Sequence, residues 1–85
     1  MNMSKNESST KVYQTSDLGL CAGLVAKGFE LVALDRSAQR VAFSFASTPI
    51  LTQSITDYWS GDLLINAQGY YDALKQVKAR LYGDY

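Results

Sequence analysis

Few residues in this chain belong to types that carry out catalysis or bind metals. The sequence contains no histidine and a single cysteine, Cys21, and its eight carboxylates are scattered without forming an acid–base pair. A thiolate nucleophile needs an activating base, and the usual zinc sites need histidine or cysteine ligands. No glycine-rich phosphate loop is present, since Gly61 and Gly69 stand alone. We therefore predict no catalytic residue, no metal site and no cofactor, and we do not expect an enzyme.

A stripe of aromatic and basic side chains is the first candidate for binding. Tyr71, Lys75, Lys78 and Tyr82 are spaced i, i+4, i+7 and i+11 along the last predicted helix, with Arg80 beside them. Aromatic rings can stack on nucleobases while cations pair with phosphates. The alternative is a solvated helix face whose cations favour the C-terminal end of the helix dipole. We favour the solvated face because the formal net charge of the chain is zero.

Two arginines, Arg36 and Arg40, flank a short polar loop between two predicted strands and form the second candidate. A basic β-ribbon tip can enter a nucleic-acid groove. The alternative, which we favour, is that either arginine pairs with Asp35 or Glu30.

Four aromatic residues near the predicted end of the second helix form the third candidate: Tyr58, Trp59, Tyr70 and Tyr71. Tryptophan and tyrosine dominate the hot spots of protein interfaces, so an exposed Trp59 would anchor a partner. The alternative is that the set closes a small core. The two interpretations are closest in weight here, and this set is our leading interface candidate.

Two glycines four residues apart, Gly19 and Gly23, lie within the first predicted helix. Each costs up to about 1 kcal/mol of helix stability relative to alanine, so a compensating contact is expected. The first interpretation is close approach of another segment of the same chain. The second is a self-association face built on the same small-residue ridge.

Caps and apolar periodicity divide the chain into elements in the order α-β-β-α-(β)-α. Segment Asp62–Ile65 is either a third strand or a buried connector. The predicted fold class is α+β, with an antiparallel hairpin, of two strands or three, packed against three helices. The predicted elements are the helices Asp17–Lys27, Pro49–Ser60 and Ala67–Leu81 and the strands Phe29–Leu34 and Arg40–Phe45.

Length and composition predict one domain over residues 13–85, preceded by a flexible polar tail over residues 1–12. The N-terminus lacks the apolar segment of a secretory signal, and the longest mostly apolar run, Leu18–Ala26, is too short to span a bilayer. The single cysteine fits a reducing compartment. We therefore expect a cytoplasmic protein with no membrane partner.

Six local patterns are spread along most of the chain: Ser16-Asp17-Leu18, Ala26-Lys27-Gly28-Phe29, Phe43-Ser44-Phe45, Tyr58-Trp59-Ser60-Gly61, Ile65-Asn66-Ala67 and the helix from Leu74 to Leu81. Together these patterns resemble a family of small bacterial and phage domains of unknown function. The resemblance covers about residues 13–83. A larger, often aromatic, residue is expected in that family where Gly19 stands here.

The resemblance implies a phage or mobile-element context and supplies no catalytic or ligand residue. Zero net charge, a small core and aromatic residues outside it favour a protein–protein interaction or accessory module that self-associates as a homo-oligomer or binds another protein. The alternative is a small nucleic-acid-binding accessory protein that uses Tyr71, Lys75, Lys78 and Tyr82.

Overall fold

The computed structural model describes residues 11–83, which form three strands and three helices. The α+β class predicted from the sequence is confirmed. In chain order the elements are β1 (Val12–Thr15), α1 (Leu18–Ala26), β2 (Ala33–Asp35), β3 (Ala42–Ala46), α2 (Pro49–Ser60) and α3 (Ala67–Gly83).

The three strands form one antiparallel sheet in the order β1-β3-β2, so β3 is the central strand. Val12 pairs with Ala46 at one end of the β1 ladder, and Ala33 pairs with Ser44 in the β2 ladder. The predicted pairing of the two central segments is correct, but the first of them enters the ladder at Ala33 and not at Phe29. Phe29 donates its backbone N–H to the carbonyl of Leu24 at the end of α1, so it belongs to the helix terminus.

The third strand comes from a different part of the chain than expected. Both sides of β3 are occupied by β1 and β2, which leaves no ladder position beside that strand for Asp62–Ile65. That segment is a connector whose Leu63 packs near Gly23. Val12 was assigned to the flexible tail, and its pairing in the sheet corrects that boundary. Of the remaining tail, Lys11 accepts a hydrogen bond at its carbonyl from the Ser47 backbone N–H, and residues 1–10 lie outside the described residues.

Helix α1 is the central element of the helical layer. Its side chains are buried over five consecutive positions, Leu20 to Leu24, so the helix is surrounded and has no solvated face there. Asp17 is the N-cap and accepts a hydrogen bond from the backbone N–H of Leu20 at 2.8 Å. The Thr15 hydroxyl in turn accepts a hydrogen bond from the Asp17 backbone N–H.

Helix α2 begins and ends where its cap residues predict, and α3 begins where its cap residue predicts. Thr48 accepts from the Leu51 backbone N–H with Pro49 at the first helical position, and Gly61 ends α2 in the left-handed conformation at φ 84°. The Asn66 side chain accepts from the Gly69 backbone N–H at 2.6 Å and caps α3. Helix α3 continues to Gly83, two residues beyond the predicted end.

All three helices contribute to one core with the inner face of the sheet. The outer face of the sheet carries Val12, Gln14 and Ala33 as exposed residues, and Gln14 covers Ser44 with a 3.0 Å hydrogen bond. No helix within residues 11–83 combines the length and the apolar character needed to cross a membrane. The buried core cluster consists of Leu20, Cys21, Leu24, Leu31, Phe43, Phe45, Leu51 and Val77.

Candidate functional site

The glycine ridge of α1 is covered by an aromatic side chain of the same domain. The Tyr58 hydroxyl lies 2.6 Å from the position that a β-carbon on Gly19 would occupy, and the Tyr58 ring lies 3.4 Å from the equivalent position on Gly23. Gly23 is buried. The ridge therefore serves close packing within the domain. Gly19 and Gly23 were also interface candidates, and this prediction is corrected. Tyr58 of the same chain already occupies the space that a second copy would need.

Tyr58 and Tyr70 meet over the start of α1 and close one end of the core. Both side chains are half-buried, and the Tyr70 hydroxyl donates to the Gly19 carbonyl at 3.5 Å. Burial, followed by the nearby Asp17 carboxylate and Tyr70, raises the pKa of Tyr58, so its hydroxyl stays neutral at physiological pH. The two rings line a cavity of about 370 Å³ together with Leu63 and other apolar residues. Tyr58 thus packs against the core, and Tyr70 contacts the start of α1 at Gly19.

Trp59 has the opposite placement. Its side chain is 61% exposed, although its ring stacks edge to face on Tyr58 with centroids 4.8 Å apart and an interplanar angle of 84°. Leu64, in the connector that follows, is 81% exposed, and its carbonyl accepts a hydrogen bond from Lys27. The inner face of Trp59 is thus supported by a half-buried ring while most of the indole faces solvent.

Two carboxylates lie in the same segment as Trp59. Asp57 accepts from the Gln53 side chain at 2.9 Å, and Asp62 accepts from the Ser60 hydroxyl at 3.0 Å. Both partners are neutral, so the negative charges are not compensated by these bonds. Asp57 and Trp59 are two positions apart on α2, so their side chains lie on opposite sides of the helix.

The stripe predicted on α3 is one exposed helix face. Tyr71 is 56% exposed and Tyr82 is 61% exposed, and Lys75 and Lys78 lie between them. The Lys75 ammonium is 5.0 Å from the centroid of the Tyr71 ring, a cation–π contact between residues one helical turn apart. We call Tyr71, Lys75, Lys78 and Tyr82 the α3 patch.

Two of the three arginines donate hydrogen bonds to backbone carbonyls of the same domain. Arg80 donates to the Leu31 carbonyl at 2.8 Å, and Arg36 donates to the Arg80 carbonyl at 3.0 Å. The latter bond satisfies one of the last carbonyls of α3, which have no partner within the helix. The Asp35 carboxylate instead accepts from the Ser37 backbone N–H, which lowers its pKa. Arg36 therefore ties the hairpin loop to α3, while Arg40 is exposed.

Cys21 is buried and its thiol is unreactive. Its side chain is fully buried, and burial raises the pKa of the thiol to about 12, an effect that the positive charge of Arg80 only partly offsets. A neutral, enclosed thiol is neither a nucleophile nor a metal ligand. The described residues 11–83 contain no group of three or more cysteine or acidic side chains placed to hold a metal ion.

Exposed aliphatic residues are the part of the surface that sequence reasoning missed. Leu64 belongs to the segment predicted as a third strand or a buried connector, but its side chain is exposed while its neighbours Leu63 and Ile65 are half-buried. Ile50, one residue after Pro49, is 71% exposed and lines a groove with Val32 at the other end of α2 from Trp59. The helical period could have found Ile50, because it lies off the face defined by Leu51 and Ile55.

The structure defines a small α+β domain in which three helices cover one face of an antiparallel three-stranded sheet. The family model of DUF5659, a domain of unknown function, matches residues 10–83, and the chain belongs to that family. The resemblance drawn from the local sequence patterns, to a small domain family of unknown function, is therefore confirmed. No curated protein and no solved structure matches the chain.

Proposed function

We propose that this domain is a non-enzymatic protein–protein interaction or accessory module of a phage or mobile element, that it works in the cytoplasm, and that it self-associates. The observation that carries the proposal is the position of Trp59, which is 61% exposed yet supported on one side by Tyr58. A supported aromatic side chain loses little conformational entropy on binding, and tryptophan is enriched among the residues that dominate binding energy.

The surroundings of Trp59 support the same proposal. Leu64, in the connector that follows α2, is a second exposed large apolar side chain. The formal net charge of the chain is zero, which removes the repulsion that keeps many small domains apart. The buried, neutral Cys21 supports a role without catalysis.

The fluorescence of Trp59 can test this proposal directly, because Trp59 is the only tryptophan of the chain. We expect its fluorescence emission to shift to shorter wavelength as protein concentration rises into the tens of micromolar, together with a rise in mass by light scattering. Trp59→Ala should abolish the rise in mass. Ile50→Ala, which truncates another exposed apolar residue of α2, is the matched control and should leave it unchanged. A monomer throughout this range that also captures no protein from a host lysate would contradict the proposal.

A second function, nucleic-acid binding, is supported by the α3 patch. Its two lysines and two exposed tyrosines share one face, as stacking on bases and contact with phosphates would require. A single-stranded oligonucleotide at low salt is the probe. Loss of two phosphate contacts in Lys75→Glu/Lys78→Glu should reduce the slope of log K against log salt by about 1.4. Lys11→Glu/Arg40→Glu, with the same change in charge, is the control, and no binding at low salt would dispose of this function.

A further inference from the structure

We infer that self-association joins β1 of one copy to β1 of a second copy, as antiparallel neighbours in one continuous sheet with three strands from each copy. This inference rests on the proposed self-association and specifies the surface through which two copies meet. The contact is isologous, because each copy contributes the same strand and a two-fold axis relates the two.

The outer edge of β1 exposes backbone groups that have no backbone partner among residues 11–83. Strand β1 lies at one end of the sheet order β1-β3-β2. The carbonyl of Lys11 accepts from the Ser47 backbone N–H, so the backbone groups of Lys11 face β3. Direction alternates from one residue to the next along a strand, so those of Val12 and Gln14 face the opposite way. The edge thus offers the donors and acceptors of two residues to an added strand.

The opposite edge of the sheet is closed. Val32 donates its backbone N–H to Ser44 of β3, so the carbonyl of the preceding Leu31 points away from β3, where Arg80 binds it. Strand β2 is three residues long and ends on the charged Asp35. A short strand, a charge and a covering side chain are devices that keep natural strand edges from pairing. The four residues of β1 carry no charge, so its edge lacks that protection.

Alternation also fixes the register of the pairing. The register that uses every outward donor and acceptor places Val12 of one copy opposite Gln14 of the other, and each such pair exchanges both of its N–H···O bonds. The two Tyr13 side chains then meet across the two-fold axis as an aromatic cross-strand pair. Lys11 lies opposite Thr15 of the second copy, so like charges do not face each other.

Trp59 lies at the same end of the domain as the last residue of β1. The Tyr58 ring that supports Trp59 holds its hydroxyl 2.6 Å from the β-carbon position of Gly19, and the Asp17 carboxylate is 3.3 Å from the same point. One residue separates Asp17 from the end of β1. A ladder of a few hydrogen bonds is a small interface, so we expect strand pairing and the Trp59 contact to be needed together.

Removal of one outward N–H tests the pairing. Gln14→Pro removes a donor that the ladder between β1 and β3 does not use, and it should weaken self-association by about tenfold or more because the two-fold axis doubles the loss. Gln14→Ala is the matched control, since it loses the same side-chain bond to Ser44 but keeps the N–H, and it should associate like the original protein. Light scattering and the emission of Trp59 measure association, and circular dichroism checks that each variant is folded.

Disulfide cross-linking tests the register. Position 12 of one copy and position 14 of the other have α-carbons about 5.5 Å apart in this register, within the range of a disulfide. Equal positions of the two copies are diagonal neighbours about 7–8 Å apart, beyond the usual range. Under mild oxidation Val12→Cys and Gln14→Cys should therefore link to each other much faster than either links to itself. Both positions are exposed and Cys21 is buried, so this test holds even where the proline variant does not fold.

Each other outcome overturns the inference in a distinguishable way. If Gln14→Pro associates as well as Gln14→Ala, the strand pairing is wrong while the role of Trp59 stands. If either cysteine variant links mainly to itself, the register is wrong and the inference with it. If the original protein stays monomeric, the pairing and the proposed self-association both fail. A host protein captured by that monomer and by Gln14→Ala, but not by Gln14→Pro, would then show that the edge takes a strand of another protein.

Discussion

The Tyr58 hydroxyl lies 2.6 Å from the point that a β-carbon on Gly19 would occupy, which is closer than any real side-chain carbon approaches an oxygen. We predict that Gly19→Ala lowers the free energy of unfolding by up to about 2 kcal/mol. Overpacking usually costs about 1–3 kcal/mol, and the roughly 1 kcal/mol that alanine gains over glycine in helix propensity offsets part of that cost. Urea denaturation followed by circular dichroism measures the difference.

Gly23 provides the matched control for Gly19. An added β-carbon there meets the Tyr58 ring at 3.4 Å, an ordinary contact distance. Gly23→Ala should therefore leave stability unchanged or raise it by up to about 1 kcal/mol. Removal of the hydroxyl in Tyr58→Phe should relieve most of the cost of Gly19→Ala. Equal losses for the two glycine variants would show that Tyr58 does not set the requirement for Gly19.

Cys21 makes stability depend on pH in the alkaline range. The thiol ionises near 9.0 in the unfolded chain and near 12 when folded, so protons leave the unfolded chain first as pH rises. The contribution of the thiol to stability is complete below pH 9.0 and is lost between pH 9.0 and about 12. We predict a steeper fall in the free energy of unfolding across this window for the original protein than for Cys21→Ala. Parallel curves for the two proteins would contradict the prediction.

Arg80 links α3 to the segment before β2 through its 2.8 Å bond to the Leu31 carbonyl. We predict that Arg80→Ala lowers the free energy of unfolding by about 1.5–3 kcal/mol, since a hydrogen bond from a charged donor to a buried segment is lost. Arg40→Ala removes the same side chain from an exposed loop position and should change stability by less than about 0.5 kcal/mol. The comparison fails if both variants unfold at the same denaturant concentration.

Gly61 ends α2 with φ at 84°, a conformation that strains any residue with a β-carbon. We predict that Gly61→Ala costs about 1–2 kcal/mol, and that Gly61→Asn costs less because asparagine tolerates this region better. Gly83 has no neighbouring atom within 4 Å of an added β-carbon and no positive φ, so Gly83→Ala should be neutral. Thermal unfolding measured by calorimetry gives the ranking.

Local signals were sufficient for the helices. Thr48, Pro49 and Gly61 specify the ends of α2 through bonds made within a few residues, and the sequence pattern shows them directly. The α3 patch was predictable for the same reason, because its spacing depends only on the helical repeat. These features needed no knowledge of which elements pack together.

Long-range partners could not be predicted in this way. The strand Val12–Thr15 exists because β3 has a second side to pair, and its partners lie about thirty residues away in the chain. A four-residue segment beside a polar stretch gives too weak a pattern to compete with the more apolar Asp62–Ile65. The contact between Gly19 and Tyr58 likewise could not be predicted from the sequence, since it depends on how α1 and α2 cross. The division of the aromatic set into a half-buried Tyr58 and an exposed Trp59 follows from that same crossing.

The central position of β3 also governs when this protein can begin to fold as it is synthesised. The ribosome releases β1, α1 and β2 before the strand that both of the others pair with, and β3 ends only at Ala46. Until then the apolar residues of α1 have no sheet to cover them, and no ladder can form. The native ladders of the first half of the chain therefore cannot form before this five-residue strand emerges, and α1 becomes fully covered only when α2 and α3 follow it.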